Sequence, residues 1–358
     1  MYLAMVSLPS DPRAEARIRE LADRLARYNV PRAVRDSLSR YVHSAADQEL
    51  YQVNPHLIAD RLGLDSHTTL SLLAYAVQEG LFTLNWQVHC PHHGQLRTFS
   101  TLQDSRAQEY CPLCQASFDA HLDDEIHVTF TVSESVRPLT TREPLADDPH
   151  PPTYGLELLN VQAFRDFFAD ETLPPGESLQ VGRVAFLFTD LLGSTAMYAR
   201  EGDPRAYAWV RNHFEVLFQA TDRNRGVTVK TIGDAVMASF LTPGDALQTA
   251  VESHRDLAAL NRQLGLSGDA ALRIRLGAHV GPCISVTLNN RLDYFGATVN
   301  IASRVSHLSK GDDVVLTNDM LTDPEVHAQA SQHGELTRFE AALHGYDQHF
   351  QLQRLWLA

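Results

Sequence analysis

Two aspartates stand where an apolar run stops. RVAFLFTD is a strand-like stretch closed by Asp190, and VTVKTIGDAVMASF reads as two strands joined through Ile232-Gly233-Asp234. A carboxylate there has no apolar reason to exist. Two together supply the oxygen ligands that hard divalent cations take. The turn after Asp190, with Leu192, Gly193, Ser194 and Thr195, can offer strand-to-helix backbone amides to a phosphate. Further on, LDYFGATVNIASRV carries Asn300 and Arg304 four residues apart, hence on one face of a helix. An amide and a guanidinium converging on one spot suit an anion. Two carboxylates, a phosphate cradle and an arginine are the parts of a phosphoryl-transfer centre.

A second constellation lies upstream. CPHH at 90–93 and CPLC at 111–114, with 17 residues between them, bring together Cys90, His93, Cys111 and Cys114. Three thiolates and one imidazole in paired knuckles suit tetrahedral zinc, and four closed ligands make such a site structural. His92 and His89 compete with His93 for the imidazole position. In a cytosolic chain this cluster points to a metal rather than disulfides. The fourth cysteine, Cys283 in GPCISV, reads as a small core residue.

The elements that must carry these residues follow from periodicity and breakers. Asp11-Pro12 caps a helix over 12–28, with Ile18, Leu21 and Leu25 at helical spacing. Asn54-Pro55 and Asp65 open two more helices, the second running to Gly80, and LFTLNWQVHC follows as a strand. Helix, turn, helix, strand is the order of a winged helix, and equally of a small helical packing module. EIHVTFTV alternates as a strand, Ser133 to about Gly155 has the composition of a linker, and LELLNVQAFRDFFAD resumes a helix over 156–170. The expected division is a helical, winged-helix-like module at 1–85, a zinc-knuckle β subdomain at 86–135, a linker and transducer helix at 136–182, and a catalytic domain at 183–358.

Composition narrows the classes. The chain has 358 residues, 44% of them hydrophobic, and no apolar run near the roughly 18 residues a membrane span needs. With no signal-peptide pattern at the start, the expectation is a cytoplasmic protein. A formal charge of −14 argues against broad nucleic-acid binding. It is compatible with a phosphorylated small molecule.

FTDLLGST, VKTIGDAVMASF and LDYFGATVNIASRV, in that order, resemble the catalytic domain of class III nucleotidyl cyclases, the adenylate and guanylate cyclases, over about residues 183–357. The resemblance implies an α+β fold with a ferredoxin-like βααββαβ core: RVAFLFTD as its first strand, a strand pair over RIRLGAHVGPCISVTL, and TVNIASRVSHLS as its last main helix. It also implies roles. Asp190 and Asp234, with the backbone carbonyl of Leu191, match the ligands of two Mg²⁺ or Mn²⁺ ions. Arg304 matches the arginine that stabilises charge on the α-phosphate, and Asn300 the residue that orients the ribose. Lys230 and Asp293 match the pair that reads the base. A lysine donor and a carboxylate acceptor fit adenine's ring nitrogen and 6-amino group; guanine presents the opposite pattern. A mismatch there costs roughly 10⁴-fold.

The implied protein is an adenylate cyclase converting ATP to cyclic AMP and pyrophosphate. It would be a head-to-tail homodimer, because in the family each site draws its aspartates and its Asn/Arg pair from opposite subunits. The N-terminal half, similar to the uncharacterised region before some bacterial cyclase domains, would regulate it through an unknown ligand or protein. Two alternatives stand beside this: a cyclase using GTP or a pyrimidine triphosphate, and a DNA-binding regulator whose cyclase domain senses nucleotide. One departure is Leu343-His344-Gly345, where many relatives carry Leu-Lys-Gly; His344 reads as a surface loop residue.

Overall fold

The computed structural model describes residues 12–357, so the Asp11 cap lies outside the described residues. The chain divides at Pro175/Gly176 into two compact units.

In the first unit, α1 (Pro12–Arg24), α2 (Arg32–Ser44), α3 (Pro55–Leu62) and α4 (Ser66–Gln78) precede the strands. Asn54 caps α3 by accepting the His56 amide at 3.1 Å, and Asp65 caps α4 through the Thr68 amide at 3.1 Å. Then come β1 (Phe82–Cys90), β2 (Gly94–Phe99), β3 (Gln108–Cys111), β4 (Ala116–Asp119) and β5 (Ile126–Val132). Strands β2-β1-β5 form an antiparallel sheet, and β3-β4 a separate hairpin.

Two expectations for this unit are corrected. The helix foreseen over 156–170 is two short ones, α5 (Gly155–Leu159) and α6 (Gln162–Phe167). Leu156, Leu158, Leu159, Val161 and Phe164 are all buried, and Phe164 packs edge-on to Trp86 at 6.1 Å. Apolar residues on every side make this a buried segment rather than an amphipathic rod. The supposed linker is pinned as well. Arg137 donates to the carbonyls of Val42 at 2.7 Å and Ala45 at 2.8 Å and to Asp47 at 3.0 Å, and the Thr140 amide donates to Asp47 at 2.7 Å.

The second unit runs β6 (Ser178–Leu191), α7 (Ser194–Glu201), α8 (Asp203–Arg223), β7 (Val227–Ile232), β8 (Ala235–Phe240), α9 (Pro243–Leu264), β9 (Ile274–Leu288), β10 (Arg291–Phe295), α10 (Ala297–Ser306), β11 (Asp313–Thr317), α11 (Pro324–His333), β12 (Gly334–Ala342) and β13 (His349–Leu357). The sheet order is β12-β13-β11-β9-β6-β8-β7, with β10 paired to β9. From β6 to β9 the chain order is βααββαβ, and β9-β6-β8-β7 are antiparallel neighbours. One face packs Leu187, Val236 and Phe240 against Trp209 and Leu217 of α8 and Leu247 and Leu257 of α9. A smaller core joins Ile301 and Val305 of α10 to Val315 and Leu352.

Two boundaries differ from expectation. β6 begins at Ser178, five residues before the expected start of the domain, and the expected strand pair over 273–288 is the single strand β9 (Ile274–Leu288). The Gly281-Pro282 step reads as a break, because proline cannot donate to a ladder. Here β11 pairs only with Leu276–Ala278 and β10 only with Ile284–Leu288. On the β6 side the register slips between Val181 and Val184, so Pro282 faces a bulge.

Candidate active site and metal cluster

Asp190 and Asp234 lie at one end of neighbouring strands. Thr189 pairs with Val236 and accepts its amide at 3.3 Å. The next residues along each strand therefore lead to Asp190 on one side and to the turn holding Asp234 on the other. Gly233 makes that turn possible with φ +65°. Asp190 accepts from Arg275 Nη1 at 3.1 Å, its cross-strand partner on β9. Asp234 Oδ2 is buried with no hydrogen-bond partner among the described residues. An unsatisfied carboxylate oxygen beside a second carboxylate is a donor set that fits a hard divalent cation. Behind it on α8, burial pulls the His213 imidazole down to about 4, so it is neutral near pH 7.

Leu191 is buried, and Leu192 donates its amide to the Arg273 carbonyl at 2.8 Å. Gly193, at φ +73°, turns the chain into α7, whose first residues are Ser194 and Thr195. The opening amides of a helix have no intrahelical acceptor, so this turn presents N–H groups beside the carboxylates.

Lys230 on β7 and Asp293 on β10 form a close ion pair, although their strands are not sheet neighbours. Asp293 is 5% exposed, and its other oxygen accepts the Tyr294 amide at 2.8 Å. The Lys230 ammonium also lies 5.9 Å from the centre of the exposed Phe295 ring. One donor and one acceptor, each with spare capacity, thus stand side by side.

Gly296, at φ +139°, leads into α10. Asn300 is exposed and Arg304 half-buried, one turn apart. The Arg304 guanidinium lies 4.9 Å above Tyr346, and a Cβ on Gly345 would stand 3.4 Å from its Nη2. α10 is held close to the sheet: a Cβ on Gly277 of β9 would fall 2.2 Å from the Ser306 nitrogen. His344 is an exposed residue of the β12–β13 turn. His279 is a buried residue bonded to the Thr317 hydroxyl at 2.8 Å, and Cys283 is buried. Arg275, Phe295 and Tyr346 were given no role from sequence. Each touches a predicted site residue through a strand register or a loop return, which a linear motif does not display.

In the first unit, the ligand atoms of Cys90, His93, Cys111 and Cys114 all lie within 4.8 Å of one another. His93 Nδ1 is 2.9 Å from Cys114 Sγ, and Cys90 Sγ is 3.5 Å from Cys114 Sγ. The pairs come from the β1–β2 and β3–β4 turns, each closed by a left-handed residue, Gly94 at φ +74° and Gln115 at φ +53°. Burial opposes ionisation of Cys90, but hydrogen bonds from the His92 amide, His93 and Cys114 bring its thiol down to about 6. Burial and the neighbouring sulfurs push Cys114 up to about 12. His89 stacks on His127 at 3.8 Å and stays outside the cluster.

Each unit contains a match to a known family. Residues 177–338 match the family described as the adenylate and guanylate cyclase catalytic domain, and residues 17–150 match a family of unknown function, DUF5939. An adenylate cyclase of Lachancea kluyveri is 29% identical over 168 residues, 42% of this chain and 9% of that protein. One of Anabaena cylindrica is 27% identical over 174 residues, 43% of this chain and 34% of that protein. The chain thus spans a small part of these curated relatives. The solved adenylyl cyclase CyaB of P. aeruginosa aligns at 19% identity over 51% of this chain and 97% of its own, with a TM-score of 0.43. The C-terminal half of the chain carries a class III nucleotidyl cyclase catalytic domain. Among the described residues no helix is long and apolar enough to cross a membrane.

Proposed function

We propose that the protein is an adenylate cyclase that converts ATP to 3′,5′-cyclic AMP and pyrophosphate. The observation that carries this reading is the Lys230–Asp293 pair. With the lysine facing ring N1 and the carboxylate the 6-position, as in the family, the pair fits adenine, whereas guanine reverses donor and acceptor at those two positions. The second part of the reading is the juxtaposition of Asp190 with Asp234 beside the Gly193 turn. These two carboxylates and the Leu191 carbonyl would hold two Mg²⁺ or Mn²⁺ ions, which supply activation of the ribose 3′-hydroxyl and charge neutralisation on the triphosphate. The amides of the turn from Gly193 to Thr195 would bind phosphate oxygens, whereas the Leu192 amide, expected to join them, is committed to the Arg273 carbonyl. Asn300 would orient the ribose. Arg304, held over Tyr346, would meet the negative charge that builds on the α-phosphate.

Within one chain Asp190 engages Arg275 while Arg304 packs over Tyr346. Sharing each site between two copies of the chain, one giving the aspartates and its partner the Asn/Arg pair, is the family's arrangement and suits these separate engagements. The four-ligand cluster of Cys90, His93, Cys111 and Cys114 would hold a structural zinc ion; the Cys90–Cys114, His93–Cys111 and Cys90–His93 separations of 3.5, 3.8 and 3.9 Å suit tetrahedral ligands, and His93 would move outward from Cys114 to receive the ion. The N-terminal unit would then regulate the cyclase.

The test is competition among ATP, GTP, CTP and UTP with Mn²⁺, using the full chain. Cyclic AMP as the dominant product supports the reading. A dominant cyclic GMP or cyclic pyrimidine product would overturn the base assignment.

A further inference from the structure

Helices α1 and α2 flank a solvent-open groove of about 550 Å³ whose lining carries Arg19, Arg32, Arg35 and Arg40 with Asp23 and Asp36. We infer that it is a binding site for a small phosphorylated anion, separate from the nucleotide site of the cyclase domain. Residues 12–44 hold eight arginines against four carboxylates in a chain of net charge −14, so the excess of positive charge is local.

The wall is also unevenly committed. Arg35 forms the fixed floor: it donates to the Val30 carbonyl at 3.2 Å and to Asp23 at 2.9 Å, and its side chain is 15% exposed. Arg19 reaches Glu15 at 3.2 Å with one nitrogen. Arg32 approaches Asp36 only at 3.6 Å, and Arg40 spends its bonds on the Asp36 carbonyl and the Ser37 hydroxyl. A guanidinium has five donors, so Arg19, Arg32 and Arg40 retain N–H groups to present to the concavity. Forked donors around a small volume match the oxygens of a phosphate chain. A concave wall of this size favours a small molecule over the convex backbone of a duplex. The Arg19 and Arg32 side chains are 69% and 86% exposed, so their guanidinium groups are accessible to an anion entering from solvent.

The probe is inorganic pyrophosphate, titrated calorimetrically into full-length protein without added divalent cation. Arg32→Gln and Arg40→Gln should each weaken binding about tenfold, the size of one charge-assisted hydrogen bond. Asp36→Asn should tighten it several-fold by removing a competing carboxylate. Arg304→Ala, which removes the phosphate-binding guanidinium proposed for the cyclase unit, should leave intact the binding event that Arg32→Gln and Arg40→Gln weaken. Unaltered melting temperatures would show that the helical pair stays folded in each variant. Three results would overturn the inference: binding that is indifferent to all three pocket substitutions, no binding by the wild type, or tight salt-sensitive binding of a DNA duplex with none of pyrophosphate.

Discussion

At the scale of single residues, Lys230 and Asp293 are the most informative pair. Their direct ion pair already satisfies part of each group, so an incoming base must exchange one partner for another. Only a base with the complementary edge does so without stranding a buried charge. Replacing Lys230 with Glu should lower activity with ATP by at least about 100-fold and raise the GTP-to-ATP ratio; competition between the two nucleotides measures it. Arg304→Ala should lower kcat by roughly 10²–10³-fold, the usual loss of a transition-state donor, with a smaller change in KM. The cysteine cluster makes an independent prediction. Wild-type protein should release one zinc per chain to a chromogenic chelator after unfolding. Cys114→Ala should release much less and melt at lower temperature, since a structural ion contributes folding energy.

At the scale of elements, α10 and the β1–β5 pair each carry a prediction. Gly277→Ala would drive a Cβ into the Ser306 backbone, which cannot yield as a side-chain tip can. Overpacking of this kind costs ~1–3 kcal/mol. Because α10 also carries Asn300 and Arg304, activity should fall further than stability, as read by melting and turnover together. On the sheet, burial holds the stacked His89 down to about 4 and lowers His127 too. The unfolded chain binds protons near pH 6.5 where the folded one does not, so stability should be full above about 6.5 and fall towards pH 4. Thermal melts across this range should show the slope, and His89→Gln should flatten it.

Elements with caps and apolar runs were legible in sequence: α3 and α4 from Asn54-Pro55 and Asp65, β6 from its buried run, α10 from its helical spacing. α2 was not legible, because Pro31 opens it without a side-chain cap. β9 was misread because the bulge that accommodates Pro282 belongs to a different strand. The α5–α6 segment was misread because its burial depends on Trp86 and Ile126, far away in sequence. In the candidate site the residues within motifs were found, whereas Arg275 and Tyr346, which hold them, were not.

At the scale of the whole molecule, the decisive feature is that one chain carries both halves of the proposed site on separate elements. In the proposed homodimer each copy would use one surface to complete its partner's site. Asp190→Ala removes one half of every site and Arg304→Ala the other. The most direct measurement is cyclic AMP formed from ATP by the wild type, by each variant alone, and by the two variants refolded or co-expressed together. Each variant alone should keep at most about 1% of wild-type activity. The mixture should regain about one quarter of wild-type activity, since half the dimers are mixed and each of those has one intact site of two. A mixture as inactive as its parents, beside an active wild type, would contradict the shared site. Absence of cyclic AMP from the wild type itself would contradict the enzyme.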